Sequence, residues 1–568
     1  MTAATTTQGR HVLGVNLGFH ESSAALLRDG ALLVLVEQER LSRRKRAIGQ
    51  PPAAAAQACL DEAGLALESV DELAIGWDFS RTPLAGSRRF TDEGLRRLLF
   101  PDAEPAQMPR VRWVPHHYAH AASTYYSSGG DEAAILVVDG AGETQATTLA
   151  TGRGGKIEIL REWPMSQSLG FFYASASKWA GFGEWGGGKL MGLAAYGRPQ
   201  PGVPVRRTRD GYELVLNGAA AAPTNGGAAR APMMSFPPEY EAAVKAAFVD
   251  HFPYAERERE DAVAYADFAA SVQYALEQAM LGLADEARRS TGLSTLVLAG
   301  GVAMNCSMVG TLVRSGIFDR VYVPPVTTDA GVSLGAALVG GRELGPFHPT
   351  RVDHAYWSLD VEADPAAQAI RDAGLASRRL DPDRLTRVVA EAVAGGKIVG
   401  WARGRGEIGQ RALGTRSIVA DPRDRRNHER LNTIKGREMW RPVAPSVLAE
   451  HLDELVGTKV GEPARFMLAA GSVRPEARRR VPAVTHVDGS ARPQVVDRAT
   501  NPDYWALIES FRELTGVPAV VNTSFNLAGE PIVHSAADAV STFVRGEGLD
   551  LLVLDGFLAA RSESELPS

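Results

Sequence analysis

From His11 to Leu17 the chain reads HVLGVNL, a short apolar run that ends in the polar turn GFHESS. Two more apolar runs follow, AALL and ALLVLVE, separated by Arg28-Asp29-Gly30. Short apolar runs broken by Asp-Gly predict antiparallel strands joined by a tight turn. Helical spacing over 52–63 stops at Gly64, and a strand is predicted over 72–77. The opening pattern then recurs: AILVVD over 134–139, the turn GAGETQ, the run ATTLAT, Gly154-Gly155 and KIEIL. Two strand–turn–hairpin units in one chain predict an internally duplicated α/β fold.

Between Pro199 and Pro238 the text is rich in Pro, Gly, Ala and Asn and has no period, which predicts a long surface insertion. A long helix is expected over 261–289, then a strand over 295–298 running into Ala299-Gly300-Gly301-Val302. Residues 345–357 (GPFHPTRVDHAYW) are aperiodic and predict a linker, dividing the chain into domains at 1–345 and 358–568. The second part predicts a helix over 382–394, a strand over 397–402, an Arg-rich stretch, a strand over 518–522, a helix over 536–544 and a strand over 551–554. That alternation is α/β again.

Length changes this picture little: 568 residues suffice for two to four domains. Charge excludes more. With 61 Lys plus Arg against 67 Asp plus Glu, the net charge of −6 gives no global basic footprint for nucleic acid. No apolar run approaches the ~20 residues of a membrane span, and the first residues lack a secretory pattern. Cys59 and Cys306 have no CxxC partner, so a disulfide scaffold or thiolate zinc site is not expected. A cytoplasmic protein is the expectation.

Four segments carry candidate chemistry. In HHYAH, His116 and His120 stand at i and i+4 and share one helix face, the spacing of two metal ligands, although surface histidines would read the same. A carboxylate added to them would suit Fe(II), Mn or Zn. Asp139 ends an apolar strand beside a glycine turn, where it is either a metal- or phosphate-facing carboxylate or simple turn chemistry; Glu143 nearby reads equally as solvated. Gly300, Gly301 and Asn305 mark a strand-to-helix turn that lets backbone approach a nucleotide. Asp329, before a small-residue helix, is a candidate third ligand, a helix N-cap, or both.

From Arg403 to Arg441 eleven basic residues are interleaved with glycines. A solvated basic face is the ordinary reading of such a run. Gly404–Gly414 nevertheless has the backbone freedom of an anion cradle, and Trp440-Arg441-Pro442 suits a buried bidentate contact, so phosphate binding is preferred. Asn522 and Ser524, in VNTSFN, leave a strand into a polar turn where they could orient a nucleotide or a small acyl group.

Taken together, GFHESSAAL, EQERLSRRK, PHHYAHAAST, VVDGAGE, SLGFFY, GKLMGLAAYG, LAGGVAMN, PPVTTDAGVSLGAA, GRGEIGQRALGTRS, WRPVAPS, ARPQ and NTSFNLAGEPIV resemble the NodU/CmcH-type O-carbamoyltransferase family over nearly the whole chain. The resemblance implies an N-terminal Kae-like domain of the actin-like ATPase fold, which is a duplicated RNase H-like unit, and a C-terminal YrdC-like α/β domain. It implies that the second domain makes carbamoyl-adenylate from carbamoyl phosphate and ATP, and that the first transfers the carbamoyl group to a hydroxyl of a small molecule, with loss of AMP. Similar proteins act in antibiotic pathways.

By the same resemblance His116, His120 and Asp329 match metal ligands, with Asp139 beside them, and His20 matches a histidine acting on the acceptor hydroxyl. Arg411, Lys435 and Arg441 match basic residues for carbamoyl phosphate and nucleotide, while Arg492 and Asn522 match the same pocket. ATP, with Mg, a divalent metal at the histidine site, and a possible homodimer are the implied cofactors and partners. Two separate sites imply a sheltered path for the adenylate. Some similar proteins that act on polycationic sugars have a longer loop with an acidic residue where this chain has only Leu17-Gly18-Phe19, which by the resemblance puts such an acceptor in doubt. Phe19, Phe182, Trp185 and the segment from Met233 to Tyr240 read equally as packing or as the lining of a more apolar pocket, as for a macrolide or its sugar. The alternative is a threonylcarbamoyl-type tRNA-modifying enzyme, which would need an RNA-binding surface.

Overall fold

The computed structural model describes residues 9–82, 84, 86–216, 238–252 and 261–567. The first sheet runs in the order Ala31–Glu37, Ser23–Arg28, His11–Asn16, Glu72–Ile75, Arg110–Trp113. Its first three strands are antiparallel and its last two run parallel to His11–Asn16. The second sheet repeats that plan strand for strand: Lys156–Pro164, Gln145–Arg153, Glu132–Val138, Thr295–Ala299, Arg320–Tyr322. Its pairings again run antiparallel, antiparallel, parallel, parallel. This is the duplicated α/β arrangement expected from the two hairpin units, and it agrees with the actin-like fold that the family resemblance implied. Asp29 and Gly30, with φ of 51° and 84°, make the tight turn that Asp-Gly announced.

The third sheet has eight strands in the order 376–379, 557–560, 551–554, 399–402, 416–420, 519–524, 444–448, 494–496. It mixes parallel and antiparallel pairs and carries the helices Pro382–Ala394 and Pro502–Thr515 packed on each other, so the C-terminal part is a second α/β domain. Residues 345–357 form neither helix nor strand, as expected of a connector. They are nonetheless held down: Leu35 donates its N–H to Trp357 O at 3.0 Å and Ile408 to Ala355 O at 2.8 Å.

Two expectations change. The Pro/Gly-rich insertion begins with an ordered hairpin, Val205–Thr208 and Gly211–Leu214, packed on the long helix Ala266–Thr291. Residues 217–237, with most of the Met233–Tyr240 segment, lie outside the described residues. Tyr240 itself is buried and donates its hydroxyl to Ser168 O at 2.8 Å, so it packs the core and lines no acceptor pocket.

Candidate active site

The helix His116–Ser127 packs on the second sheet and against the helix Val332–Leu344, which packs on the first. Gly335 allows that contact, since a Cβ there would sit 1.8 Å from Ala119 O. The helix starts after Pro115, and its first amide has an unforeseen partner: the Glu143 carboxylate accepts the N–H of His116 at 2.8 Å and of Asp78 at 2.9 Å. An anion at a helix start stabilises it through unpaired amides and the dipole. Glu143 is therefore structural to the histidine helix rather than solvated.

His116 and His120 point one ring nitrogen each at two carboxylates. Nε2 of His116 is 3.5 Å from Asp139 Oδ2 and 3.6 Å from Asp329 Oδ1; Nε2 of His120 is 3.2 and 3.6 Å from the same atoms. All four donor atoms lie within 4.8 Å of one another. Ligands ~2.1 Å from a tetrahedral ion sit about 3.4 Å apart, so this spacing fits a cation. The supporting contacts fit too. His116 Nδ1 lies 3.2 Å from Gly76 O, which leaves Nε2 free as a ligand, and both Nε2 atoms are buried without a hydrogen-bond partner. Asp139 uses its other oxygen to accept the amides of Gly140 (2.8 Å) and Gly301 (3.0 Å).

The charges agree. Burial opposes protonation of His116, yet Asp329 and Asp139 outweigh it and push the group up to about 10. Burial raises the Asp139 carboxyl, but His116 and His120 hold it well below its usual range, and Asp329 is likewise held low by His116 and His20. Two buried carboxylates this close need a cation between them, whether a proton on His116 or a metal. The N-cap reading of Asp329 fails: Thr328 is the cap position of that turn, and the Asp329 side chain makes no capping bond.

His20 joins this group, with Nε2 3.9 Å from Asp329 Oδ2, Nδ1 buried and unpartnered, and its ring edge-on to Trp185 at 4.7 Å. Gly300 has φ 93° and no room for a Cβ, which would meet Val138 O at 2.2 Å. Asn305 accepts Met308 N at 3.0 Å, capping the helix Cys306–Ser315 while lining the cavity.

In the C-terminal domain, Arg411, Arg441, Arg492, Asn522 and Ser524 come together, and Arg437 joins them. Burial, reinforced by Arg492 and Arg441, pushes Arg411 down to about 9; burial and Arg441 do the same to Arg437. Nε of Arg411 and of Arg492 and an Nη of Arg437 are buried without partners. Unpaired guanidinium donors that repel one another are a site for an anion. Asn522 donates to Ala412 O, Ser446 Oγ and Gln494 Oε1, and its Oδ1 is left unpaired. Lys435 is saturated instead: its ammonium reaches Ser524 O and Oγ and Asn526 O and Oδ1 at 2.5–3.1 Å, so it holds the Ser524–Asn526 turn in place.

Three readings of the basic stretch are corrected. The Gly404–Gly414 loop cradles an anion, but a protein one: Oε1 of buried Glu407 accepts the amides of Leu413, Thr415 and Arg416 at 2.7–3.0 Å. Arg441 is 30% exposed and 3.6 Å from Glu438, not a buried bidentate contact. Arg416 is buried among backbone carbonyls, while Arg403, Arg423, Arg426 and Arg430 pair with Asp503, Asp421, Asp424 and Asp550. Only part of the run faces the site.

Members of both groups line one cavity of about 1200 Å³, although His116, His120 and Lys435 are not among its lining residues. His20, Asp139, Gly301, Asn305 and Asp329 are at its N-terminal wall, and Arg411, Arg437, Arg441, Arg492, Asn522 and Ser524 at its C-terminal wall. Trp185 and Phe182 also line it, whereas Phe19 does not. Among the described residues no helix is long and apolar enough to cross a membrane.

The profile "Carbamoyltransferase N-terminus" matches residues 11–83 and 88–338, and "Carbamoyltransferase C-terminus" matches residues 390–561. Nodulation protein NolNO of Sinorhizobium fredii is 37% identical over 561 residues, covering 96% of this chain and 79% of that one. A 3'-hydroxymethylcephem-O-carbamoyltransferase of Amycolatopsis lactamdurans is 36% identical over 278 residues, 48% of this chain and 49% of that one. Among solved structures, full-length HypF in its phosphate- and nucleotide-bound form matches 60% of this chain and 56% of that one, at 11% identity and a TM-score of 0.31. With both of its characteristic regions present in order, the chain belongs to the carbamoyltransferase family.

Proposed function

We propose that this protein is an ATP-dependent O-carbamoyltransferase whose two half-reactions occupy opposite walls of the shared cavity, residues 358–568 forming the adenylate and residues 1–345 transferring the carbamoyl group. The observation that supports this reading most is the continuity of the cavity between the unpaired arginines and the histidine–aspartate cluster. Carbamoyl phosphate and ATP bring many negative charges to one place, which Arg411, Arg437, Arg441 and Arg492 are arranged to neutralise. Water releases phosphate from carbamoyl phosphate. The carbamate oxygen then bonds to the α-phosphorus of ATP as the bond to pyrophosphate breaks. Mg accompanies the ATP.

At the other wall the acceptor oxygen attacks the carbamoyl carbon, the bond from that carbon to the phosphate oxygen breaks, and AMP leaves with the electron pair. His20 is placed to take the hydroxyl proton. His116, His120, Asp139 and Asp329 are the residues that would hold a divalent metal, which when bound supplies positive charge beside the nucleotide phosphate. The acceptor is a hydroxylated small molecule admitted past Trp185 and Phe182.

The test is pyrophosphate release from ATP by the purified protein with no acceptor. Release that requires carbamoyl phosphate is expected, and Arg441→Ala should lower it roughly a hundredfold or more. Release independent of carbamoyl phosphate would overturn the reading.

A further inference from the structure

Next to the cavity, residues 43–46 read Arg-Arg-Lys-Arg, which as sequence is a solvated basic run. The structure sends these side chains to different places. Arg43 crosses to the C-terminal domain, donating to Ile532 O at 2.7 Å and Pro531 O at 3.1 Å and pairing with Asp538 at 3.3 Å. Arg46 stays with its own domain, paired to Glu21 at 2.8 Å and lying 4.4 Å over the Trp185 ring. Arg44 points to solvent and does not line the cavity. Lys45 is exposed as well, but it lines the cavity and makes no ion pair with the described residues.

The backbone that achieves this sorting is strained. Arg43, Arg46 and Ala47 have φ of 55°, 63° and 46°, and Glu21, whose N–H donates to Arg46 O at 2.6 Å, has 53°. Non-glycine residues in this region of φ persist only where surrounding contacts force them, and they gather at functional sites. Here the strained turn is pinned on both sides of Lys45, by Arg43 to one domain and by Arg46 to the other. Partial exclusion of water by the surrounding protein lowers the Lys45 ammonium, Arg46 and Arg441 add to this, and Glu39 opposes it. Lys45 in turn is one of the cations that depress Lys435. Glu39 already accepts the amide of Arg46 at 2.6 Å and lies 3.7 Å from Arg40.

We propose that Lys45 is an anion-binding residue of the C-terminal phosphate site, supplied by the N-terminal domain, so that this site is complete only when the two domains are joined. Its ligand class is a di- or oligophosphate or the phosphate of an acyl-adenylate. The proposal rests on the phosphate chemistry assigned to that wall under the proposed function.

The experiment uses the full-length protein and inorganic pyrophosphate as the probe, with binding followed calorimetrically. Lys45→Ala and Lys45→Gln should weaken pyrophosphate binding roughly tenfold, the effect of losing one charged hydrogen bond. Lys45→Arg should recover most of it, Arg44→Ala should stay within twofold of wild type, and all variants should share the wild-type melting temperature. Wild-type affinity in both neutral variants, or no pyrophosphate binding by the wild type, would overturn the proposal. Lys45-dependent pyrophosphate binding in a protein that shows no carbamoyl-phosphate-dependent turnover would instead overturn the proposed function and leave the composite anion site standing.

Discussion

Glu407 shows how much one buried carboxylate can organise. Its Oε1 holds three loop amides, those of Leu413, Thr415 and Arg416, and so shapes the turn that presents Arg411. Glu407→Ala leaves those donors unpaired in the interior, and a loss of about 3 kcal/mol in urea-unfolding stability is expected; an unchanged midpoint would show that the loop holds itself. His534 is the second case. Burial, with Arg416 and Arg40 adding to it, pushes its imidazole down to about 4. The unfolded chain therefore takes up a proton between pH 6.5 and 4 that the native state refuses, and stability falls as pH drops through that window. Comparing pH 7 with pH 4, His534→Gln should lose about 3 kcal/mol less than wild type; equal losses in both proteins would contradict this. These two residues also mark the limit of sequence reading. Glu143 and His534 act on backbone groups or charges distant in the chain, and the amides that Glu407 collects converge on it only once its own loop has folded back.

Elements were more legible. Asp29-Gly30, Gly64 and Gly154-Gly155 act locally, and each stops or turns an element where its spacing required. His116 and His120 were legible because one helix face carries both, and Asp139 and Asp329 because each follows a short apolar segment. The Arg-rich stretch was only partly so: strand and loop place Arg416 inside and Arg423 on the surface, a distinction that composition does not carry. The helix pair at the histidine–aspartate cluster supplies a test at this scale. Gly335→Ala drives a methyl into Ala119 O, between the two histidines. It should cost about 1–3 kcal/mol from overpacking and weaken binding of added Mn(II) to the full-length protein. Wild-type stability together with wild-type Mn(II) affinity would show that the two helices can separate without cost.

At the scale of the whole molecule, the two parts face one cavity with different chemistry. The duplicated α/β part brings a histidine–aspartate cluster and His20 to one wall; the eight-stranded domain brings unpaired arginines to the other. Ties between the two parts are numerous and specific: Arg40 to Gly409 O at 2.6 Å, Gln410 to Glu21 at 2.5 Å, Lys189 to Glu438 at 2.8 Å. Such cross-links keep the walls in register, as the proposed passage of a reactive intermediate between them requires.

The most direct measurement is therefore to follow both half-reactions in the same variant, His116→Ala combined with His120→Ala. Carbamoyl-phosphate-dependent pyrophosphate release should continue within a few-fold of wild type, while bound metal and carbamoyl transfer to an added hydroxyl acceptor are lost. Transfer at the wild-type rate in that variant, or loss of pyrophosphate release with the protein still folded, would contradict the division of the two steps between the two walls.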